Sequence, residues 1–158
     1  RPQGRRCQIR RTSPMNQTFD LLFVDIIHGY LNTAASRAAG IPAAADCGLL
    51  KMDADVDDQD PRIAITAVEN GENKSRQIAV IAVCRGTKAR SITDPWMAKV
   101  RARLGDLDAF FDYLAGLPVE KRTGYQIEKV SPPHAGKLQR DPMGPIESGI
   151  GIVIYITV

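Results

Sequence analysis

The sequence predicts an α+β fold in which a mostly antiparallel sheet of about four strands is covered by two helices. Three observations predict it. Two neighbouring apolar segments have the pattern of a β-hairpin, an amphipathic helical pattern lies on each side of this hairpin in the chain, and two further strand patterns follow towards the C-terminal end. Because 158 residues are the usual length of one domain, we expect these elements to share one core.

The hairpin is expected over residues 62–84. Its two arms are rich in β-branched residues, and Asn70 and Gly71 in the polar turn allow the positive φ angles that tight hairpins use. Neither arm alternates strictly between apolar and polar residues, so both faces of the pair are expected to be covered. The excess apolar surface, which a partner would bury, is predicted on Ile63, Ile65, Ile78 and Val80, or alternatively on Ala64, Ala79 and Ile81.

The first helix is predicted over residues 18–39, where apolar residues recur at spacings of three and four. Asn16 or Thr18 is placed to cap its start, and Gly40 is placed to end it. His28 falls inside this helix, one step from the apolar stripe. We interpret His28 as a packed or half-exposed side chain, because no second histidine and no neighbouring aspartate is expected on its helix face.

The second helix is predicted to begin with Asp94 as its N-cap and Pro95 as its first residue. An apolar stripe over residues 96–114 follows, and Gly105 interrupts it, which predicts a kink or a split into two helices. Gly116 marks the end. With its aromatic residues, this helix is the expected cover for one face of the hairpin.

The C-terminal part is predicted to contain a third strand over residues 123–130 and a fourth over residues 147–158. The fourth alternates strictly, and Val153 and Tyr155 on its second face offer surface that a partner could bury. Between these strands, residues 131–146 contain four prolines and two glycines. A loop of this length between strands is usually functional or mobile.

An acidic segment, residues 53–60, follows a possible short edge strand over residues 49–52. The spacing of its first aspartates copies the start of a calcium-binding EF-hand loop. However, the positions that require glycine and glutamate in such a loop hold Asp58 and Ala64. We therefore interpret the segment as a solvated loop. The enzymatic alternative is a metal-dependent phosphoesterase or nuclease, with Asp57 and Asp60 as metal ligands and Lys51 or Arg62 as phosphate contacts.

Basic charge is concentrated at the start of the chain. Five of the 21 basic residues precede Met15, and the remaining 16 face 18 acidic residues. Residues 1–14 are either a basic arm for nucleic acid or an acidic partner, or a segment translated upstream of a start at Met15 without a structural role. We expect residues 15–158 to form a single α+β domain.

Several classes of site are absent from the sequence. There is no Walker loop, no GxGxxG after a strand, no HExxH and no GxSxG motif. The three cysteines form no CxxC pair, and no apolar run approaches the roughly 20 residues of a membrane span. We therefore expect neither an enzyme nor a cofactor, and no catalytic or metal site.

The predicted order of elements is helix, hairpin, helix, strand, long loop and strand. This order, with the second helix entered through Asp94, Pro95 and Trp96, resembles that of the tail terminator proteins of long-tailed bacteriophages. The block from Ala67 to Asn73, followed by a strand from Ile78, is similar in style to their central hairpin. The resemblance covers residues 15–158 and is one of architecture and segment order. Residues 1–14 are not part of the family pattern.

The resemblance implies a virion protein, assembled in the bacterial host cytoplasm, that forms a six-membered ring on the last ring of the tail tube. Its partners would be other copies of itself, the tail tube protein and the head-completion or connector proteins. DNA would pass through the lumen without specific binding, and no membrane would be involved. A small adaptor protein that binds one partner as a monomer or dimer is the other alternative to this assembly role.

The resemblance also gives roles to charged residues. The loop over residues 131–146 would reach the tail tube or the connector, and charge on the ring lumen would come either from the acidic segment or from two basic residues before the second helix. The predicted interface residues with a side chain that is basic, or basic when protonated, are Lys88, Arg90, His134, Lys137 and Arg140.

Overall fold

The structure is a computed structural model that describes residues 18–44, 48–51, 62–86, 90–138 and 146–158, with the backbone alone described for residues 85–86, 90–94, 136–138 and 146–148. This part of the chain contains five helices and six strands. The helices are α1 (Phe19–Leu31), α2 (Ala34–Ala38), α3 (Arg90–Gly105), α4 (Leu107–Ala115) and α5 (Val119–Arg122). The strands are β1 (Leu49–Lys51), β2 (Arg62–Asn70), β3 (Ser75–Gly86), β4 (Gln126–Val130), β5 (His134–Leu138) and β6 (Ile146–Thr157).

The strands form one mixed sheet in the order β1-β2-β3-β6-β4, with β5 also paired to β6. Only the β1–β2 pair is parallel among the described pairs. Both β4 and β5 lie along the edge of β6 opposite to β3; β4 pairs with the C-terminal half of β6, and β5 pairs with the N-terminal half. The predicted α+β class is confirmed, whereas the predicted sheet of about four strands is a six-stranded mixed sheet.

The central hairpin is confirmed. Strands β2 and β3 pair from Arg62 with Arg85 to Asn70 with Gln77. Its turn needs glycine at position 71, because the φ angle there is +123° and a Cβ atom would lie 2.4 Å from the carbonyl oxygen of Ser75. The turn therefore sets the register that decides which residues face the helices.

Helices cover one face of the sheet. Helix α1 packs against β1, β2 and β3, and α3 packs against β3 and β6. Every second residue of the central strands is buried beneath them: Ile63, Ile65, Ala67, Ile78, Val80, Ala82, Cys84, Ile150, Ile152, Ile154 and Ile156. The core predicted for the hairpin thus lies on the helix side, where burial of apolar area is the main stabilising contribution.

The predicted single helix over residues 18–39 is two helices. Thr33 has an extended backbone with ψ of 163° and caps α2, because its side chain accepts a hydrogen bond from the Ser36 amide. Arg103 of α3 braces this corner: its Nε donates to the Ser36 Oγ at 3.1 Å, and its guanidinium lies 4.5 Å from the centre of the Tyr30 ring. At the other end, Thr18 occupies the N-cap position of α1 without a side-chain cap hydrogen bond, and Asn16 lies outside the described residues.

The second predicted helix is split at Gly105, as expected, and Asp106 caps α4 by accepting a hydrogen bond from the Ala109 amide. Its predicted start is wrong. Helix α3 begins at Arg90, so Pro95 lies inside the helix and Asp94 is not its N-cap. The first four amides of a helix have no partner within it, so Pro95, the sixth residue, sits just beyond the region that tolerates proline without cost.

The predicted loop over residues 131–146 is partly a strand. His134–Leu138 pairs with β6 from Gly151 to Glu147, and residues 139–145 lie outside the described part. Strand β4 begins at Gln126, three residues later than predicted, and a short helix, α5, precedes it. In the described part of the chain, no helix has both the length and the apolar character needed to cross a membrane.

Candidate interaction surface

The second face of the sheet carries no described helix. We call it the open face. Its side chains come from alternate positions of the same strands, and they are half-buried or exposed where their neighbours on the helix side are buried. Val68, for instance, is 54% exposed. The open face consists of Leu50, Ala64, Thr66, Val68, Ala79, Ile81, Val83, Gly151, Val153, Tyr155, Lys129 and His134.

The centre of the open face is apolar and is formed by short side chains. Val68 pairs with Ala79, and Ala79 pairs in turn with Val153, which places three small aliphatic side chains in one row across the sheet. In the next row, Ile81 lies beside Gly151, where a Cβ atom would be 3.6 Å from the Ile81 Cγ1. These short side chains allow another backbone or sheet to approach this part of the open face closely.

Polar groups surround one end of this apolar centre. The Lys129 Nζ lies 5.7 Å from the centre of the Tyr155 ring, and the Thr157 hydroxyl donates to the Glu128 carboxylate at 3.0 Å. An apolar centre with a polar rim is the usual organisation of a protein–protein interface. The open face therefore has the chemical character of an association surface.

Three predicted interface residues meet on the open face. Val153 and Tyr155 lie two positions apart on β6, and the exposed His134 pairs with Gly151 on the neighbouring strand. The sheet thus joins a residue of the predicted loop to the C-terminal strand, which sequence spacing alone did not indicate. Their role as interface residues stays a prediction.

Four predicted interface residues lie on the opposite side. Ile63, Ile65 and Ile78 are 0% exposed and Val80 is 1% exposed, because α1 and α3 cover this side of the hairpin. Assigning them to an interface was wrong, since a partner cannot reach them in the folded subunit. The alternates Ala64, Ala79 and Ile81 lie on the open face.

Other predicted positions are only partly described. Lys88 and Arg140 lie outside the described residues, and the backbone alone is described for Arg90 at the start of α3 and for Lys137 in β5. The acidic residues 53–60 also lie outside. Among the described residues, no three His, Cys, Asp or Glu side chains group as metal ligands.

Thr66, Val68 and Val83 were missed by the sequence reasoning, although a signal for them exists. Polar residues in the sheet centre fall mostly at the positions of the open face, as Thr66 does in β2 and Tyr155 does in β6. Because strand side chains alternate with period two, one polar residue is enough to assign both faces of its strand.

His28 is buried, as interpreted from the sequence, and contacts β1. Its Nε2–H group donates a hydrogen bond to the Leu49 carbonyl oxygen at 3.1 Å. Burial lowers the pKa of His28; the Leu49 hydrogen bond opposes this, nearby Lys51 adds to the lowering, and Asp25 opposes it. Lys51 and Asp25 form an ion pair at 2.7 Å. This cluster joins α1 to the edge strand.

Comparison of the chain with protein-family models found no match, and comparison with curated protein sequences found none either.

Proposed function

We propose that this chain is a structural assembly subunit, a tail terminator of long-tailed bacteriophages that closes into a ring through its open face. The observation that carries the proposal is the row formed by Val68, Ala79 and Val153, an apolar sheet surface without a described cover. Burying apolar surface is the dominant favourable contribution to most protein association, so a face of this kind is stabilised by contact with another chain.

The ring would supply a second cover for the hairpin, whose open face is not covered by any described helix. In a ring, each subunit uses two different surfaces, and the open face of one subunit meets another surface of the next one. The helix layer already buries the other side of the sheet within the subunit. This arrangement suits a permanent subunit of an assembly, because one face of the sheet packs in the core of the subunit and the other face would contact the neighbouring subunit.

The proposed partners follow from this role. The ring would sit on the last ring of the tail tube and present a surface to the head-completion or connector protein, within the virion. The exposed His134 begins β5, which pairs with β6 along the edge of the sheet, and residues 139–145 that follow β5 lie outside the described part. The segment that contains it would make the contact with tube or connector.

The ring proposal is tested by adding one charge to the open face. Ala79→Glu places a carboxylate between Val68 and Val153, where burial against a neighbour would leave it unpaired, and burying an unpaired charge is strongly unfavourable. Ala102→Glu, on the exposed side of α3, changes the chain by the same atoms and charge and serves as the matched control.

We expect the wild type and Ala102→Glu to have the same oligomeric mass by light scattering, and Ala79→Glu to fall to the mass of one subunit, 17.3 kDa. Circular dichroism of the variants verifies that each has folded. A folded Ala79→Glu variant with the wild-type mass contradicts a role of the open face in assembly. Absence of the wild-type chain from purified tails contradicts the terminator role.

A further inference from the structure

A second apolar surface lies on the helix side of the molecule, away from the open face. Helix α4, helix α5 and the start of β4 border a shallow groove with a volume of about 310 Å³. It is lined by Phe111, Leu114, Ala115, Arg122, Tyr125 and Ile127. The groove is at the lower end of the roughly 300–1,000 Å³ range of ligand pockets, and its openness to solvent suits a side chain of a protein better than a free small molecule.

The walls of the groove are held in place by the fold. The Tyr125 hydroxyl donates to the Lys121 carbonyl oxygen at 2.6 Å, and the Tyr125 ring packs edge-on against Phe23 of α1 with 5.3 Å between ring centres. Leu114 is only 8% exposed and forms part of the floor. These contacts within the chain fix the position of the Tyr125 wall of the groove.

Large apolar side chains are exposed on the two helices that border the groove. Leu107 and Phe111 of α4 are 38% and 44% exposed, and Val119 of α5 is 60% exposed. These are three of the five exposed large hydrophobic residues in the described part of the chain. Of these three, Phe111 lines the groove, so its half-exposed ring offers apolar surface to a partner there.

The groove carries a single positive charge. Among its described lining residues only Arg122 is ionised at neutral pH, and no carboxylate in the described part of the chain lies within ion-pair distance of it. Burial raises the pKa of Tyr125, and the positive charge of nearby Arg122 acts in the opposite direction, so the guanidinium lies close enough to act on the groove wall. A guanidinium forms its strongest contacts with carboxylates.

We propose that this groove binds a segment of a partner protein in which a large apolar side chain lies next to a carboxylate. The apolar side chain packs between Phe111 and Ile127, and the carboxylate pairs with Arg122. This arrangement combines an apolar anchor in a groove with a charged group that fixes its orientation; in protein interfaces, a few such anchors carry most of the binding energy. The groove and the open face are formed by different residues, so the inference does not rest on ring formation.

The test uses two short probes that differ by one group, N-acetyl-Phe-Glu-amide and N-acetyl-Phe-Gln-amide. Binding is followed by methyl NMR of Leu114 and Ile127, which line the groove and give signals in a monomer or a large ring. We expect the glutamate probe to bind about threefold to tenfold more tightly than the glutamine probe, because the difference is one partly exposed charge-assisted contact.

Two variants and one control locate the effect. Arg122→Gln should make the two probes bind equally, and Ala115→Glu should weaken the glutamate probe by at least about threefold, because it places a competing carboxylate on the groove wall. Arg101→Gln removes the same charge from the exposed side of α3 and should leave the preference unchanged.

Three results would overturn the proposal: no binding of either probe, equal binding of both to the wild type, or signal changes outside the groove. The oligomeric mass of each variant is measured separately. If the wild type has the mass of a ring but binds both probes equally, the groove site is refuted and the ring is not. If the wild type is a monomer but prefers the glutamate probe, the ring is refuted and the groove site is not.

Discussion

His28 illustrates how one buried side chain couples protonation to folding. Its ring is 6% exposed and its Nε2–H donates to the Leu49 carbonyl oxygen. Desolvation lowers the pKa of His28 below the ordinary value of 6.5. The unfolded chain therefore takes up a proton at this residue at a pH where the folded chain resists it, which means that protonation favours unfolding.

We predict that the wild type loses stability relative to His28→Gln as the pH falls through and below 6.5, the ordinary imidazole pKa. Above this pH both states carry neutral His28 and the difference between the two proteins is constant. Urea unfolding at a series of pH values measures it. The matched control is His134→Gln, which removes an exposed histidine. A difference between wild type and His28→Gln that stays constant down to pH values well below 6.5 would contradict this assignment.

At the same scale, the two faces of the hairpin show what sequence reasoning can and cannot assign. The sequence contains a signal that assigns the two faces of the first arm, because Thr66 is the polar residue within it and marks the less buried face. Isoleucines such as Ile63 attracted the interface prediction because they are the most apolar residues. In the structure the strand register places them on the helix side, where their large side chains are buried.

At the junction between β4 and β5, a side chain replaces one of the backbone hydrogen bonds that would pair this segment with β6. The Ser131 amide donates to the Val153 carbonyl oxygen, and the Val153 amide donates to the Ser131 Oγ, both at 2.8 Å. Pro132 and Pro133 follow, and neither has an amide hydrogen to continue the pairing. The Ser131 hydroxyl therefore gives the Val153 amide of β6 an acceptor at a point where Pro132 and Pro133 cannot continue the backbone pairing.

Replacing Ser131 by alanine should lower the free energy of unfolding by about 1 kcal/mol, because the Val153 amide loses its acceptor. Ser131→Thr keeps a hydroxyl at the same position and is the control. Urea unfolding gives the difference, and hydrogen exchange should show a faster Val153 amide in the alanine variant only. If Ser131→Ala and Ser131→Thr are equally stable and exchange alike, the hydroxyl has no such role.

The elements predicted best are those with a strong local pattern. The β-branched arms of the hairpin, the alternation in β6 and the break at Gly105 are all local signals, and the structure contains each of them. Strand β5 was missed because His134–Leu138 has no strand pattern of its own and is defined by pairing with β6. The start of α3 was misplaced because the local cap signal of Asp94 and Pro95 was overridden in the fold.

For the whole molecule, the central feature is a sheet with two unlike faces. One face is buried under α1 and α3, and the open face has an apolar centre with a polar rim. The groove beside α4 adds a third surface with its own charge. The proposed tail terminator role would use separate surfaces for a neighbouring copy and for another partner, and these surfaces are candidates for the two contacts.

The mass of the purified wild-type chain in solution, measured by light scattering over a range of protein concentrations, tests whether the chain forms a ring. We predict a closed ring whose mass is a fixed multiple of 17.3 kDa, with six subunits giving about 104 kDa (6 × 17.3), and no further growth with concentration. A mass of 17.3 kDa at every concentration would contradict it.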